Sequence, residues 1–236
     1  MPVLLPLFPL NTPLVPGLVL PLHIFEPRYR DLVADLLARP DEDQREFGIV
    51  GIRDGGSIDR DGIGALFPVG TSALLREAER YDDGRFDIVT TGSRRFRVLD
   101  VDASRPLLVG AVEFLEDVVG TEDPRLARGV AHWFGRYRAA LGGSAEIDPD
   151  DSAVEDDGSD DASDLPDDPA VLSYLVTAAM VLPGAERQEL LAADTVAERL
   201  QRARRLLVRE VGLISALGAV PALDGLAIPA TTPSSN

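Results

Sequence analysis

Prolines interrupt the apolar stretch at the start of this chain and restrict the structures that it can form; they lie at positions 6, 9, 13 and 16. A proline is tolerated in an edge or barrel strand where its missing N–H faces away from the neighbouring strand. We therefore predict two strands, Leu5 to Leu10 and Leu18 to Ile24, joined by a turn at Val15-Pro16-Gly17. These prolines, and the lack of a basic residue before Arg28, lead us to expect that the stretch is not an export signal.

A helix is predicted directly after the second strand. Pro27 suits the first helical position, where its missing N–H is not needed, and the acidic Glu26 precedes it. Apolar residues then recur at helical spacing, at Leu32, Val33, Leu36 and Leu37. The pattern predicts a helix over residues 27–38.

Short strands are predicted up to about residue 118. They cover residues 47–52, 66–75, 86–98 and 107–115. The 86–98 segment is predicted to be two strands separated at Gly92-Ser93, and Tyr81 to Gly84 is predicted to be a hairpin turn. Six or more short strands with one early helix favour a small closed or nearly closed β-barrel.

From residue 121 the apolar period becomes helical. Helices are predicted to start at Asp123-Pro124 and at Asp168-Pro169, and a short one covers residues 185–192. The last helix opens with Thr195 and Glu198, which have the spacing of a capping box. The predicted fold class is therefore α+β, with a β-barrel followed by a helical bundle.

The acidic residues are concentrated in one segment. Of the 40 Asp and Glu residues, twelve lie between residues 146 and 168, where no basic residue occurs. Such a segment buries little apolar surface and repels itself, so residues 143–168 are predicted to be a disordered insert. Its role is left open between a solvated linker, a docking tract for basic partners and a calcium-attracting tail.

These features define the predicted domains. Residues 1–118 form the barrel, residues 119–217 form the helical part with its insert, and residues 218–236 form a disordered tail. Outside the acidic segment, 28 acids face 23 arginines, so the folded part is mildly acidic. Nucleic-acid binding calls for a clustered basic surface, and we therefore expect no nucleic-acid partner.

The chain contains no lysine and no cysteine, and all 23 of its cationic residues are arginines. A phosphate-binding P-loop and a serine–lysine dyad both need a lysine amine, and a thiolate site needs cysteine. The two histidines, His23 and His132, lie in no metal or triad motif. We therefore expect a protein that is not an enzyme and has no cofactor and no metal. No apolar run approaches the roughly 20 residues of a membrane helix, so we expect no membrane partner. The absence of cysteine fits a reducing compartment, and we expect a cytoplasmic protein.

The opening residues resemble a known family. The pattern Pro6-Leu-Phe-Pro-Leu10, followed by Pro21-Leu-His-Ile-Phe-Glu-Pro-Arg-Tyr-Arg-Asp-Leu32, is similar to the N-terminal substrate-binding domain of Lon-type ATP-dependent proteases. Asp87 to Val98 resembles an internal strand pair of that family, and Gln188 to Leu191 resembles its helical end. The resemblance covers about residues 3–216 without the acidic insert and does not extend into an ATPase module.

The resemblance implies both a fold and a function. The fold is a PUA-like β-barrel followed by a helical bundle. The function is that of a stand-alone bacterial module that binds unfolded or exposed polypeptide segments and serves as an adaptor for a separate ATP-dependent protease. Because PUA-like barrels also bind small ligands and RNA, a module of that class is the alternative. The sequence leaves the oligomeric state open.

Candidate substrate-binding residues lie around the start of the first predicted helix and on one predicted strand. They are His23, Glu26, Arg28, Tyr29, Arg30, Arg94 and Arg95. Arginine and tyrosine are favoured anchors of interfaces. Each residue also has a structural interpretation: Tyr29 packs on the barrel, Glu26 and Arg30 form a surface pair, and His23 is held by a neighbour. The arginines of residues 94–97 then form a solvated strand face.

Overall fold

The computed structural model describes residues 2–53, 56, 62–120, 124–142 and 165–217. Its six strands are β1 Val3–Leu10, β2 Val19–Ile24, β3 Glu46–Gly51, β4 Val69–Arg80, β5 Phe86–Asp102 and β6 Leu108–Phe114. Its α-helices are α1 Pro27–Leu37, α2 Pro124–Leu141, α3 Pro169–Ala179, α4 Gly184–Leu191 and α5 Val196–Leu217. Short 3-10 turns cover Glu42–Gln44 and Gly62–Ala65. The order of a strand-rich half and a helical half is the predicted one.

The six strands form one mixed sheet, in which the pairings that start at β5 return to β5. The order is β2-β5-β4-β3-β1-β6, and β6 pairs again with β5. Phe96 of β5 lies opposite Gly70 of β4 on one side and opposite Phe114 of β6 on the other. Five strands therefore share a closed ring of pairings. β2 is added to the first half of β5, from Phe86 to Thr91.

Proline lies in these strands as the sequence predicted. Pro21 of β2 pairs with Val89, and β2 has one strand neighbour in the described sheet. An edge strand has one side on which a backbone N–H is not needed for the sheet. α1 begins at Pro27, its Glu26 cap position is extended, and its buried side chains are Tyr29, Leu32, Val33 and Leu36.

β5 differs from its prediction, because it continues through Gly92 as one strand instead of two. The glycine marks a close approach of two backbones. The N–H of Gly92 donates to the Leu18 carbonyl and the Gly92 carbonyl accepts from the Gly17 N–H, each at 2.9 Å. A side chain at this position would overlap the carbonyl of Val15. The loop before β2 is thereby fixed against the middle of β5.

The helical half has its own apolar core. It is formed by one face each of α2, α3 and α5, with Val130, Tyr137, Val176, Leu200 and Leu207 among its buried residues. The first N–H groups of α5, from Val196 and Ala197, donate to the carbonyls of Val118 and Val119. The start of α5 is therefore hydrogen-bonded to the segment that leaves the sheet.

Two predicted segments lie partly or wholly outside the described residues. Residues 143–164 and 218–236 lie outside the described residues, so the disordered insert and tail that are predicted there stay predictions. The end of the predicted insert is described: Leu165 packs against the helical core, and the Asp168 carboxylate accepts the N–H of Ala170 at 2.8 Å. Residues 165–168, the end of the predicted insert, therefore lie against the helical half.

Candidate functional site

Two buried arginines join the sheet to the helices. Arg95 of β5 is 2% exposed and donates to the carbonyls of Leu191 at 2.9 Å and of Ala193 at 2.6 Å. Arg199 of α5 is fully buried and donates to the carbonyl of Leu190 at 3.2 Å. Both guanidinium groups also reach one carboxylate oxygen of Asp117, each at 3.0 Å. We call these three side chains the junction cluster.

Tyr174 of α3 completes the junction cluster from the helical side. Its hydroxyl donates to the same Asp117 oxygen at 2.6 Å, and the guanidinium of Arg199 lies 4.1 Å from its ring centre. Burial raises the pKa of Tyr174, so the hydroxyl stays protonated and remains a donor. Burial opposes ionisation of Asp117, but the hydrogen bonds from Tyr174 and Arg199 and the two guanidinium charges hold its pKa below the usual value.

The lowered pKa of Asp117 predicts a loss of stability in acid. A carboxyl whose pKa is lower in the folded protein stabilises it above its unfolded pKa of about 3.9, and this contribution disappears as the pH falls through the folded pKa. We expect Asp117→Asn to reduce the free energy of unfolding at neutral pH by roughly 1–3 kcal/mol, as for other charged hydrogen bonds. Urea unfolding at a series of pH values should show the two proteins converging below about pH 4. A difference that stays constant down to acid would contradict this assignment.

An apolar groove lies beside the junction cluster, between the β1–β2 loop and α3. Its volume is about 580 Å³. Pro16, Gly17 and Leu18 line one wall. The other wall is the side of α3 formed by Val171, Tyr174, Leu175, Ala178 and Ala179, of which Val171 and Ala179 are exposed. Because Tyr174 belongs to both, the junction cluster holds the α3 wall of the groove, while the backbone of Gly92 holds the loop wall.

The walls of the groove come from two sequence segments without formal charge. No Asp, Glu, Lys or Arg occurs in residues 10–25 or in residues 169–185. Val171 is 50% exposed within the groove, and Val19, next to its loop wall, is 57% exposed. By contrast, the groove between α2 and α5 carries Arg204 and Arg205 in its lining. An uncharged concave surface with exposed aliphatic side chains is suited to apolar ligands.

Two of the predicted binding residues, Tyr29 and Arg95, are buried and have partners within the protein. Tyr29 is 5% exposed and stacks on Phe8 with ring centres 4.0 Å apart, and burial raises its pKa. Arg95 belongs to the junction cluster. Both side chains therefore have structural roles in this fold, and their role in binding stays a prediction.

His23 lies in an exposed polar cluster on the outer face of the sheet. Its Nδ1 is 2.5 Å from a carboxylate oxygen of Asp87, whose other oxygen accepts the Tyr81 hydroxyl at 2.6 Å. The hydrogen bonds from Tyr81 and His23 lower the pKa of Asp87. A neighbour thus holds the imidazole, as the structural interpretation of His23 predicted. Arg30 approaches this cluster at the adjoining turn, where its guanidinium lies against Gly84.

The remaining predicted residues do not form a common site. Glu26 pairs with Arg28 at 2.7 Å, so the predicted pair of Glu26 with Arg30 is wrong. Arg94 is exposed, lies 3.7 Å over the ring of Phe114 and is 3.3 Å from Glu46. Their role in binding stays a prediction, and each has a partner within the protein.

The sequence did not identify the groove. The predicted helix that starts at Asp168-Pro169 contains Val171, Leu175, Ala178 and Ala179, but sequence spacing does not show which part of an apolar helix face stays uncovered. Its other wall lies more than 150 positions earlier in the chain. The available signal was the absence of charge from both segments.

The described residues place no group of three or more His, Asp or Glu side chains where they could hold a metal ion. Among the helices of the described ranges, none combines the length and the apolar character needed to cross a membrane.

Comparison with known proteins gives one consistent result. The model of the ATP-dependent protease La (LON) substrate-binding domain matches residues 4–209. Lon protease of Anaeromyxobacter dehalogenans (strain 2CP-C) is 31% identical over 117 residues, which are 49% of this chain and 13% of that protein. Lon protease 2 of Myxococcus xanthus is 29% identical over 123 residues, 52% of this chain and 14% of that protein. The chain thus spans about one seventh of the length of these relatives.

Two solved structures share the fold. A Lon N-terminal domain protein from Xanthomonas campestris is 26% identical, has a TM-score of 0.57, and the match covers 85% of this chain and 96% of that one. The N-terminal domain of Lon protease from the Mycobacterium avium complex is 20% identical, has a TM-score of 0.58, and the match covers 89% and 98%. The predicted α+β class is confirmed by these structures and by the mixed sheet and helices described above.

Proposed function

The chain belongs to the Lon substrate-binding domain family, and we propose that it binds exposed apolar segments of unfolded polypeptides in the groove between the β1–β2 loop and α3. The family is named for binding, and the match does not include an ATPase or a protease module. The observation that carries the proposal is the uncharged, partly exposed pair of groove walls. We assign the sheet, with its closed ring of pairings, to the PUA-like β-barrels.

The size and the walls of the groove suit a polypeptide segment. Concave sites of about 300–1,000 Å³ are typical of bound ligands, and the volume of this groove, about 580 Å³, is enough for a few side chains of a polypeptide segment. Burying one aliphatic side chain contributes about 1.5–3 kcal/mol, so a few such contacts are enough for the weak binding that a client must later leave. Unfolded proteins expose many such side chains, whereas folded ones cover them.

Binding in the groove is tested by making its surface polar without changing its charge. We expect the double variant Val171→Gln, Ala179→Gln to bind a fluorescent, unstructured, leucine-rich peptide about tenfold more weakly than the wild type, which corresponds to about 1.4 kcal/mol. Both positions are exposed, and glutamine is a good helix former, so the fold should be retained. Fluorescence anisotropy measures the affinity, and circular dichroism checks the fold.

A matched control comes from another helix. Val208 of α5 is 41% exposed and lies in the groove that contains Arg204 and Arg205. Val208→Gln makes the same chemical change and should leave peptide affinity within about twofold, as expected for a surface position without ligand contact. Equal affinity of the double variant and the wild type would place binding elsewhere, and no peptide binding by the wild type would refute the proposed function.

The proposed biological role is that of an adaptor that presents polypeptides to a separate ATP-dependent protease. The chain itself is proposed to be non-catalytic and to act without nucleic acid in the bacterial cytoplasm. Affinity purification of the full chain should recover such a protease together with unfolded clients. Recovery of RNA, or thermal stabilisation by a small metabolite and not by peptides, would favour the alternative class of PUA-like module.

A further inference from the structure

One side of β2 is an edge of the described sheet, and this edge begins beside the groove. β2 pairs with β5 and has no other strand neighbour among the described residues. Gly17 and Leu18 line the groove, and β2 begins at the next residue, Val19. The edge therefore continues directly from the loop wall of the groove. We call the side of β2 that faces away from β5 the free edge.

The pairing of β2 with β5 shows which backbone groups lie at the free edge. In an antiparallel pair, every second residue hydrogen-bonds to the partner strand and the residues between them face away from it. The Gly92 N–H donates to the carbonyl of Leu18, and the register from there to the end of β2 has no shift. The even-numbered residues of β2 therefore face β5. The odd-numbered residues face the free edge, and these are Val19, Pro21 and His23.

These three residues leave two donors and three acceptors at the free edge. The donors are the N–H groups of Val19 and His23, and the acceptors are the three carbonyls. Pro21 has no N–H, which fits its place on the side that does not pair with β5. Within the described ranges, no hydrogen bond reaches any of these backbone groups. All three residues are exposed, so a ligand can approach them.

The spacing of these groups matches an extended polypeptide. From Val19 to His23 they extend over about 13 Å, at roughly 3.3 Å per residue. Alternating unpaired N–H and carbonyl groups on an exposed strand are a template for the backbone of another strand. Val19 and Phe25, at the two ends of β2, are 57% and 62% exposed, and both lie in the segment without formal charge. The free edge thus combines unpaired backbone groups with apolar flanks.

On the basis of the proposed function, we propose that β2 binds the client as an added β-strand. The client backbone pairs with the free edge, and its apolar side chains enter the adjoining groove. In this mode of recognition, main-chain hydrogen bonds supply affinity and alternate side chains supply preference. A folded protein whose backbone groups are already paired cannot bind in this way, so the free edge selects unfolded clients. Pro21 removes the central donor and so disfavours pairing of β2 with β2 of a second copy.

Two N-methylated peptides test for backbone pairing. The probe is a labelled peptide in which leucine and serine alternate, because a two-faced pattern favours one register. One isomer carries a methyl group on every leucine amide, and the other carries one on every serine amide. Successive N–H groups of a strand point to opposite sides, so only one isomer keeps its donors toward β2. We expect the affinities of the full chain for the two isomers, measured by fluorescence anisotropy, to differ by about tenfold or more.

Hydrogen exchange, measured by NMR on the full chain, locates the pairing. Saturation with the unmethylated peptide should slow exchange at the N–H groups of Val19 and His23 by about tenfold or more. Leu20 and Leu22 are the matched controls, because their N–H groups face β5 and should gain less protection. Peptide binding without added protection at Val19 and His23 would overturn the added strand.

A single substitution restores the missing donor. Pro21→Val adds an N–H at the centre of the free edge, and we expect it to tighten peptide binding by about threefold or more. Pro40→Val makes the same change at an exposed position outside the strands and should leave the affinity within about twofold. Sedimentation velocity should show Pro21→Val in the same oligomeric state as the wild type. Self-association of this variant without tighter peptide binding would assign the free edge to a second copy and overturn the proposal.

The failure of this inference differs from the failure of the function on which it rests. Equal affinities for the two methylated isomers, with binding of the unmethylated peptide still weakened by Val171→Gln, Ala179→Gln, would overturn the added strand and leave binding in the groove intact. If the unmethylated peptide does not bind the wild type, the proposed function and this inference both fail.

Discussion

Replacing Arg199 by alanine is expected to lower the free energy of unfolding by about 3–5 kcal/mol, the range found when one partner of a buried ion pair is removed. Arg199 is fully buried and donates to the Leu190 carbonyl, the Ser173 hydroxyl and the Asp117 carboxylate. The substitution leaves each of these acceptors with one donor fewer, and the hydrogen bonds to Leu190 and Ser173 are buried. It also removes the guanidinium that lies over the ring of Tyr174. Both effects act where the helices join the sheet.

Arg209 supplies the control for this prediction. It has close carboxylate partners, Glu186 and Glu210, which raise its pKa, but its side chain is 42% exposed. Solvent screens such pairs, so Arg209→Ala should cost about 1 kcal/mol or less. Urea unfolding followed by circular dichroism measures both variants. A loss below 1 kcal/mol for Arg199→Ala, or equal losses for the two variants, would show that the junction cluster does not hold the halves together.

A second substitution separates packing from hydrogen bonding at the same position. Arg199→Met restores much of the buried volume without the donors. If lost hydrogen bonds dominate, the methionine variant should be nearly as unstable as the alanine variant, because unsatisfied buried acceptors cost about 1–3 kcal/mol each. Recovery of most of the stability would instead assign the effect to the cavity.

Local sequence patterns predicted the elements of this fold well. Pro27 marks the start of α1, and Thr195 caps α5 by accepting the N–H of Glu198 at 3.1 Å. These signals act within one helical turn, so they do not depend on distant residues. Even here one detail differs: the Glu198 carboxylate accepts the N–H of Asp194, one position before the residue that a capping box predicts.

The roles of neighbouring arginines could not be predicted in the same way. Arg94 and Arg95 are adjacent on β5, and adjacent strand residues face opposite sides of a sheet. This rule shows that their environments differ, but not which of them is buried. Arg95 is the buried one because it meets the Leu191 carbonyl, 96 positions away in the chain. The groove could not be predicted either, because its two walls are distant in the sequence and come together only in the complete fold.

A methyl group added at Gly92 is expected to impair both stability and peptide binding. Gly92 lies in the middle of β5, where a Cβ would overlap the carbonyl of Val15. The segment after Val15, Pro16 to Leu18, is the loop wall of the groove, and two backbone hydrogen bonds hold it to Gly92. Gly92→Ala must displace this loop or bend β5, and overpacking of this kind costs about 1–3 kcal/mol.

The same substitution elsewhere shows whether the effect belongs to the site. Gly135 lies in α2, and the position that a methyl group would take there is open, with no neighbouring atom within 4 Å. Gly135→Ala should therefore stabilise the protein by about 0.5–1 kcal/mol and leave peptide affinity unchanged.

For Gly92→Ala we expect lower stability in urea together with peptide binding weakened at least fivefold, because displacing Pro16 to Leu18 opens one wall while α3 keeps the other. Lower stability with full affinity would mean that β5 bends while the loop keeps its place, so that both walls of the groove remain. Unchanged stability and affinity would show that the close approach of Val15 to Gly92 does not position the groove.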